Sequence, residues 1–266
     1  YVINHLSFFC SHILPIAVEA KKRGYIIKIF CGHGGSKEME REAKKIISKN
    51  FIKFENLGFT PSSKNIFFEI VFFLRIFFKL KKFNPDIIHS VSFKGIIYSS
   101  IFFLFFNSKR LICYITGLGY FFTRKLNSYE KFLKFFVIII VKFILNFKNS
   151  ILVIENKTDH KFFLNKVKIN KKKIYRINGA GADLKKFNYK SKKKKKIILF
   201  PARVLLEKGI LEFVEAAKKL APHYKDWKFY VAGTLKYEKN EKEKTFTNVK
   251  LIEKKYKNIK FLGYVK

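Results

Sequence analysis

Apolar positions along this chain recur in two spacings. Short, nearly continuous apolar runs of strand length are separated by longer stretches in which apolar residues fall three or four apart, as on one face of a helix. In the first half the pattern predicts a strand ending at Tyr1–Ile3 and a helix from Ser11 to Arg23, with Ser11 as its cap, Pro15 in its first turn and Gly24 as its stop. Tyr25–Cys31 is the next strand, followed by the turn Gly32-His33-Gly34-Gly35, a polar helix Ser36–Ser48 and a short strand around Phe51–Phe54. A Phe-rich helix Ser62–Phe83 ends at Asn84-Pro85, because the residue before proline is driven out of the helical region. Strand Asp86–Val91, helix Gly95–Phe106, strand Arg110–Thr116, helix Asn127–Phe147 and strand Ile151–Glu155 complete the run.

The alternation breaks between Gly179 and Lys196, where Gly179-Ala180-Gly181-Ala182-Asp183 precedes the run Lys192–Lys196. Five consecutive lysines suit neither a strand nor a helix core, so this is the expected domain boundary. Beyond it come strand Ile197–Pro201, helix Glu207–Leu220, strand Trp227–Ala232, a charged helix about Asn240–Lys255 and strand Ile259–Leu262. Strands alternating with helices predict an α/β protein of parallel βαβ units: one doubly wound domain over residues 1–190 and the first half of a second over 191–266. Both ends read as cut through strands, so the chain is expected to be a fragment. Parallel sheets bind ligands beyond the carboxyl ends of their strands, and two such domains facing each other are expected to form a cleft.

Composition changes this picture in three places. With 48% hydrophobic residues the 266-residue chain can bury a sizeable core, which excludes wholesale disorder. Cys10, Cys31 and Cys113 are odd in number and widely spaced, which excludes a disulfide scaffold and a zinc ribbon and fits a reducing compartment. The 56 Lys+Arg against 19 Asp+Glu leave a net charge of +37, which fits either nucleic acid or an anionic membrane surface. The lysines are spread along the whole chain rather than striped, which reads first as compositional drift and a solvated surface, and no recognition helix or RNA-binding signature occurs, so no specific nucleic acid is expected. The apolar stretches Ile96–Phe106 and Phe132–Phe147 are too short or too interrupted by Lys134 and Lys142 to span a bilayer, and read as buried helices of a soluble protein or as a membrane-hugging face. The Phe-rich helix Ser62–Phe83, with Lys79, Lys81 and Lys82 in its last turns, fits either a cover for the sheet or a helix lying on a membrane.

The sharpest candidate chemistry lies in Phe200-Pro201-Ala202-Arg203-Val204-Leu205-Leu206-Glu207-Lys208-Gly209. Arg203 follows a strand end and Lys208 is expected in the first turn of the next helix. Two cations beside a helix N-terminus suit a diphosphate, since free N–H groups and the helix dipole already favour an anion there. Gly32–Gly35 lacks the six-residue glycine fingerprint of a dinucleotide site, and neither a Gly-x-Ser-x-Gly nor a Walker-type lysine loop is present.

The segment Ile198–Arg203, with Glu207-Lys208-Gly209 and Glu212-Phe213-Val214-Glu215-Ala216-Ala217, resembles the second-domain opening of family 4 glycosyltransferases of the GT-B fold. Four other stretches resemble the family in the same order: Ser11-His12-Ile13-Leu14-Pro15-Ile16-Ala17, Asn84–His89 with Lys94 and Tyr98, Thr116-Gly117-Leu118-Gly119-Tyr120, and Gly179–Leu184 with Phe187. The likeness is strongest to the bacterial subgroup that builds lipid-linked surface glycans, lipopolysaccharide among them. It implies two Rossmann-like domains, the second truncated, and a retaining transfer of a hexose or N-acetylhexosamine from a UDP-sugar to a lipid-linked precursor.

By the same resemblance, Arg203 and Lys208 hold the departing diphosphate. Gly117 and Gly119 let the backbone approach a sugar, and Gly233 lies near the nucleotide base. His12, expected at the first helix N-terminus, faces the transferred sugar, with Thr116 and His89 as further cleft candidates. The chain is expected to stop before the family's later acidic pair, two glutamates separated by seven residues, and Glu238, Glu241 and Glu243 do not replace it. The fragment alone is therefore expected to be inactive. No Asp-x-Asp occurs, and a metal-independent reaction without a cofactor is expected. Ala180 and Ala182 depart from the Ser and Val usual in the family. The enzyme is expected in the cytoplasm, peripheral on the inner face of the plasma membrane. The rival readings are a basic nucleic-acid- or membrane-binding protein and a GT-B-shaped sugar-nucleotide epimerase, whose catalytic carboxylates and histidines are not found.

Overall fold

The computed structural model describes residues 1–58, 66–106, 110–118, 127–184, 187, 195–204, 208–233, 252–263 and 265. The chain divides into two compact units, Tyr1–Leu184 and Lys185–Lys266.

The first unit holds a seven-stranded, all-parallel sheet: β1 (Val2–His5), β2 (Lys28–Gly32), β3 (Lys53–Asn56), β4 (Ile87–Val91), β5 (Arg110–Ile115), β6 (Ser150–Ile154) and β7 (Ile174–Arg176). Their order is β3-β2-β1-β4-β5-β6-β7. The chain steps outward from β1 to β3, returns beside β1 as β4, and continues the other way. Right-handed crossovers then put the two sets of helices on opposite faces. One core holds α1 (Leu6–Phe8), α2 (Leu14–Lys22) and α3 (Lys37–Lys49) through Phe9, Ile13, Ala17, Ala43 and Ile47. The other holds α4 (Ile66–Phe83), α5 (Ser92–Phe105) and α6 (Ser128–Leu145) through Ile76, Leu80, Phe102, Phe103 and Ile144. Strand residues divide by parity, as the pleat requires: Leu111, Cys113 and Ile115 of β5 enter the second core and Tyr114 the first. Burial pushes the thiols of Cys10, Cys31 and Cys113 up to about 11, 12 and 12, and all three are free.

The strand and helix alternation is as expected, with three corrections. The first helix does not begin at Ser11. It starts at Leu6, because the His5 ring accepts a hydrogen bond from the Phe8 amide and caps it. A π turn, Phe9–Ile13, joins α1 to α2, and Ser11 Oγ lies within it, donating to the carbonyls of Ser7 and Phe8 at 3.1 Å. The third strand lies two residues later than expected, after Phe51 turns the chain at φ 52°. The stretch between β6 and β7, which the sequence left without elements, forms α7 (Lys157–Lys161), a π turn and a 3-10 turn.

The second unit carries β8 (Ile197–Phe200), β9 (Lys228–Ala232) and β10 (Ile259–Gly263), parallel in the order β10-β9-β8, with α8 (Ile210–Leu220) between the first two. Ile210, Val214 and Ala217 fix α8 to the sheet. The expected helix at about 240–255 lies mostly outside the described residues, of which 252–255 are helical.

Candidate functional site

In the second unit Arg203, Lys208 and Gly233 all stand beyond the carboxyl ends of β8 and β9. Val204 is buried with Ile210, Val214 and Val231 and anchors the loop, which leaves Arg203 beside it exposed. Lys208, also exposed, does not lie in the first helical turn. Gly209, in the left-handed region at φ +77°, is the cap of α8, which begins at Ile210, so Lys208 stands just ahead of that cap. Gly209 offers no side chain to the first-turn amides, which leaves them open to an outside acceptor. Residues 205–207 lie outside the described residues.

Gly233 has a reason to be glycine that spacing does not reveal. A Cβ there would stand 1.8 Å from the Ala202 carbonyl oxygen and 3.2 Å from the Arg203 Cα. The turn after β9 therefore presses directly on the backbone that carries Arg203, and only a residue without a side chain permits it.

In the first unit the strand order reverses between β1 and β4, and a parallel sheet of this kind binds ligands outside the carboxyl ends of such a strand pair. Two residues not singled out by sequence meet there. Ser92, immediately after β4, has φ +72°, and its Oγ donates to Asn4 Oδ1 at 2.9 Å. A serine in the left-handed region stores strain of the kind that collects at functional sites. Gly95 lets α5 close on β1, since a Cβ would come within 2.9 Å of the Val2 carbonyl. The His5 ring, 2.8 Å from Ser7 Oγ, occupies the space that a side chain at Gly34 would need. No spacing rule marks Asn4 or Ser92; the signal is a backbone conformation and a contact across 88 positions.

The remaining candidates divide. Thr116 and Gly117 follow β5 at the same sheet edge; Gly117 is exposed, and nothing within 4 Å of its would-be Cβ demands a glycine. Gly119 lies outside the described residues. His12 is not at the helix N-terminus but inside the π turn, with its ring stacked on Phe8 at 4.2 Å and its Nδ1 2.7 Å from Ser11 Oγ. His89 lies within β4 rather than at its end. It is buried between Tyr1, 4.8 Å away, and Tyr114, 5.4 Å away, and its Nε2 has no hydrogen-bond partner among the described residues. Burial holds its imidazole down to about 3, a neutral group in a dry environment. Beside it Tyr114 donates to Glu155 Oε1 at 2.6 Å, and burial with that carboxylate pushes the phenol up. Lys94 (2.8 Å) and Tyr98 both bond Glu69, which ties α5 to α4. Among the described residues no three His, Cys, Asp or Glu side chains gather as metal ligands.

Residues 1–156 match the family described as glycosyl transferase 4-like, and residues 182–266 match glycosyl transferases group 1. No curated protein matches the chain. Among solved structures, a glycosyltransferase from Rickettsia africae is similar at 21% identity and TM-score 0.59, covering 100% of this chain and 69% of that one. UDP-GlcNAc 2-epimerase from Neisseria meningitidis, bound to UDP-GlcNAc, is similar at 15% identity and TM-score 0.64, covering 100% and 72%. The S. aureus MnaA–UDP structure follows at 15% and 0.59, covering 99% and 68%. At these identities the solved structures establish the fold, two Rossmann-like parallel-sheet units of GT-B type. The match over residues 1–156, joined by the second over 182–266, makes the chain a member of the glycosyl transferase 4-like family and a transferase of sugars.

Proposed function

We propose that the protein is a retaining glycosyltransferase that moves a hexose or N-acetylhexosamine from a UDP-sugar to a lipid-linked glycan precursor. The observation that carries this reading is the second-unit edge: Arg203 and Lys208 exposed on either side of an uncapped strand-to-helix turn, with Gly233 fixing the Arg203 backbone. In this reading the bond from sugar C1 to the diphosphate oxygen breaks, and the acceptor hydroxyl oxygen bonds to C1 from the same face. Its proton leaves with the diphosphate. Arg203 and Lys208 offset the charge growing on that leaving group, and the amides of α8 add to it; no metal or cofactor is called on. The UDP in the Neisseria and S. aureus neighbours supports a uridine nucleotide as the donor's carrier. The Asn4–Ser92 corner, with Thr116 and Gly117, offers neutral hydroxyl and amide groups suited to sugar or acceptor hydroxyls.

Arg203→Ala and Lys208→Ala, each made in the intact protein, are expected to weaken UDP binding by calorimetry and to lower turnover about 100- to 1000-fold with the fold unchanged by circular dichroism. Retention of parental UDP affinity by both variants would falsify the assignment. The likeness to UDP-GlcNAc 2-epimerases favours one second reading. Product analysis with UDP-GlcNAc separates the two: an epimerase converts the sugar nucleotide without an acceptor, whereas a transferase consumes it only with one.

A further inference from the structure

The helix layer formed by α4, α5 and α6 is apolar on both of its sides. Its inner side fills the core with Ile76, Leu80, Phe102, Phe103, Val141 and Ile144. Its outer side carries a second set at helical spacing: Phe67, Ile70, Leu74 and Phe78 on α4, and Tyr129, Phe132, Phe136, Ile139 and Phe143 on α6. Phe67 is 69% exposed, Phe78 61% and Phe132 61%. The two helices flank α5, which packs against both and leaves Phe105 75% exposed between them at its own end. Single exposed apolar residues need no explanation, but two such stripes on one helix layer mark a binding surface.

The charges around the stripes say what covers them. Lys81 and Lys82 at the end of α4, and Lys131 and Lys142 on α6, are exposed. The acids on these helices are otherwise engaged: Glu69 bonds Lys94 and Tyr98, and Glu130 is buried in the capping box of α6. An apolar face bordered by lysine and lacking free acid complements an anionic lipid surface. A second copy of this chain would set one charge of +37 against another. Neither helix is long and apolar enough to cross a bilayer among the described residues, so the geometry is that of helices lying in the interface.

We infer that the outer face of α4 and α6 docks on an anionic phospholipid surface, with its phenylalanines in the acyl boundary and its lysines at the headgroups. This deepens the reading of a lipid-linked acceptor and rests on it for its purpose, but vesicle binding and UDP affinity are read independently, so either can fail alone. The sequence pointed to α4 and left a membrane-hugging face open for Phe132–Phe147; the structure adds which side of α6 that is, by turning Val141, Ile144 and Leu145 inward and leaving the opposite side bare.

The test is co-sedimentation of the intact protein with vesicles of phosphatidylcholine alone and of phosphatidylcholine with phosphatidylglycerol. Binding is expected on the mixed vesicles, to weaken with salt, and to fall at least about tenfold in the combined variant Phe67→Ser, Phe78→Ser, Phe132→Ser, Phe136→Ser with UDP affinity kept. A second variant, Phe136→Trp in a Trp227→Phe background, reads insertion directly through a blue shift and quenching by brominated acyl chains. The inference is overturned if the combined variant binds as the parent does, if the new tryptophan is not quenched, or if the parent is a dimer that the combined variant dissociates.

Discussion

Individual residues carry their reasons at different distances. Gly233 is visible in the sequence as a glycine after an apolar strand, but the reason it must be one is the Ala202 carbonyl, 31 positions away. Gly233→Ala is therefore expected to displace the Arg203 loop and to reduce UDP affinity about as much as losing Arg203 itself, while the melting temperature moves only a few degrees; calorimetry against thermal unfolding checks the split. His89 shows the reverse case, a residue whose type drew a chemical reading and whose place is a buried one inside β4. Its folded-state imidazole is held down to about 3, against 6.5 for the free group. The unfolded chain takes up a proton in that interval that the folded chain does not. Stability is thus expected to be level above about 6.5 and to fall as pH drops toward 3, by up to about 1.4 kcal/mol per unit from this residue. His89→Phe, which keeps the ring and removes an orphaned buried nitrogen, is expected to lose about 2 kcal/mol less than the parent between pH 7 and 5 in urea titrations.

Elements were legible wherever a run of apolar residues met an unmistakable end. The α6 start is an example: Asn127 accepts from the Glu130 amide and Glu130 reaches back to the Asn127 amide, a reciprocal cap that local sequence encodes. Asn127→Ala is expected to lower the unfolding free energy by about 1 kcal/mol, seen as a shift of the denaturant midpoint at constant slope. The start of the first helix was not legible in the same way. Ser11 has the chemistry of a cap and a proline four residues on, but a histidine ring had already capped the chain at Leu6, and Ser11 turned its hydroxyl back along the helix. Lys208 was misplaced by a comparable margin because a glycine reads from sequence as a tolerated helical residue, whereas its left-handed conformation is set by the loop. The short β7 escaped notice because Ile174–Arg176 sits among lysines and owes its pairing to Leu152, Val153 and Ile154 of β6.

At the scale of the whole chain, the alternation of strand and helix sufficed for the architecture, since parallel strands need crossovers and crossovers have one hand. The solved neighbours keep that architecture at 15–21% identity, as expected if the pattern of apolar positions, rather than particular residues, holds the two units. The charge of +37 says little about the fold but sets the protein's surroundings. What sequence alone could not assemble was the pairing at the switch of the first sheet, because strand order brings β1 and β4 together only after three strands have formed. Asn4 and Ser92, which join there, are both neutral. Such a corner can tell one arrangement of hydroxyls from another but cannot balance an anion. In the function we propose, phosphate charge falls to Arg203 and Lys208 of the second unit, and this corner is left for uncharged hydroxyls.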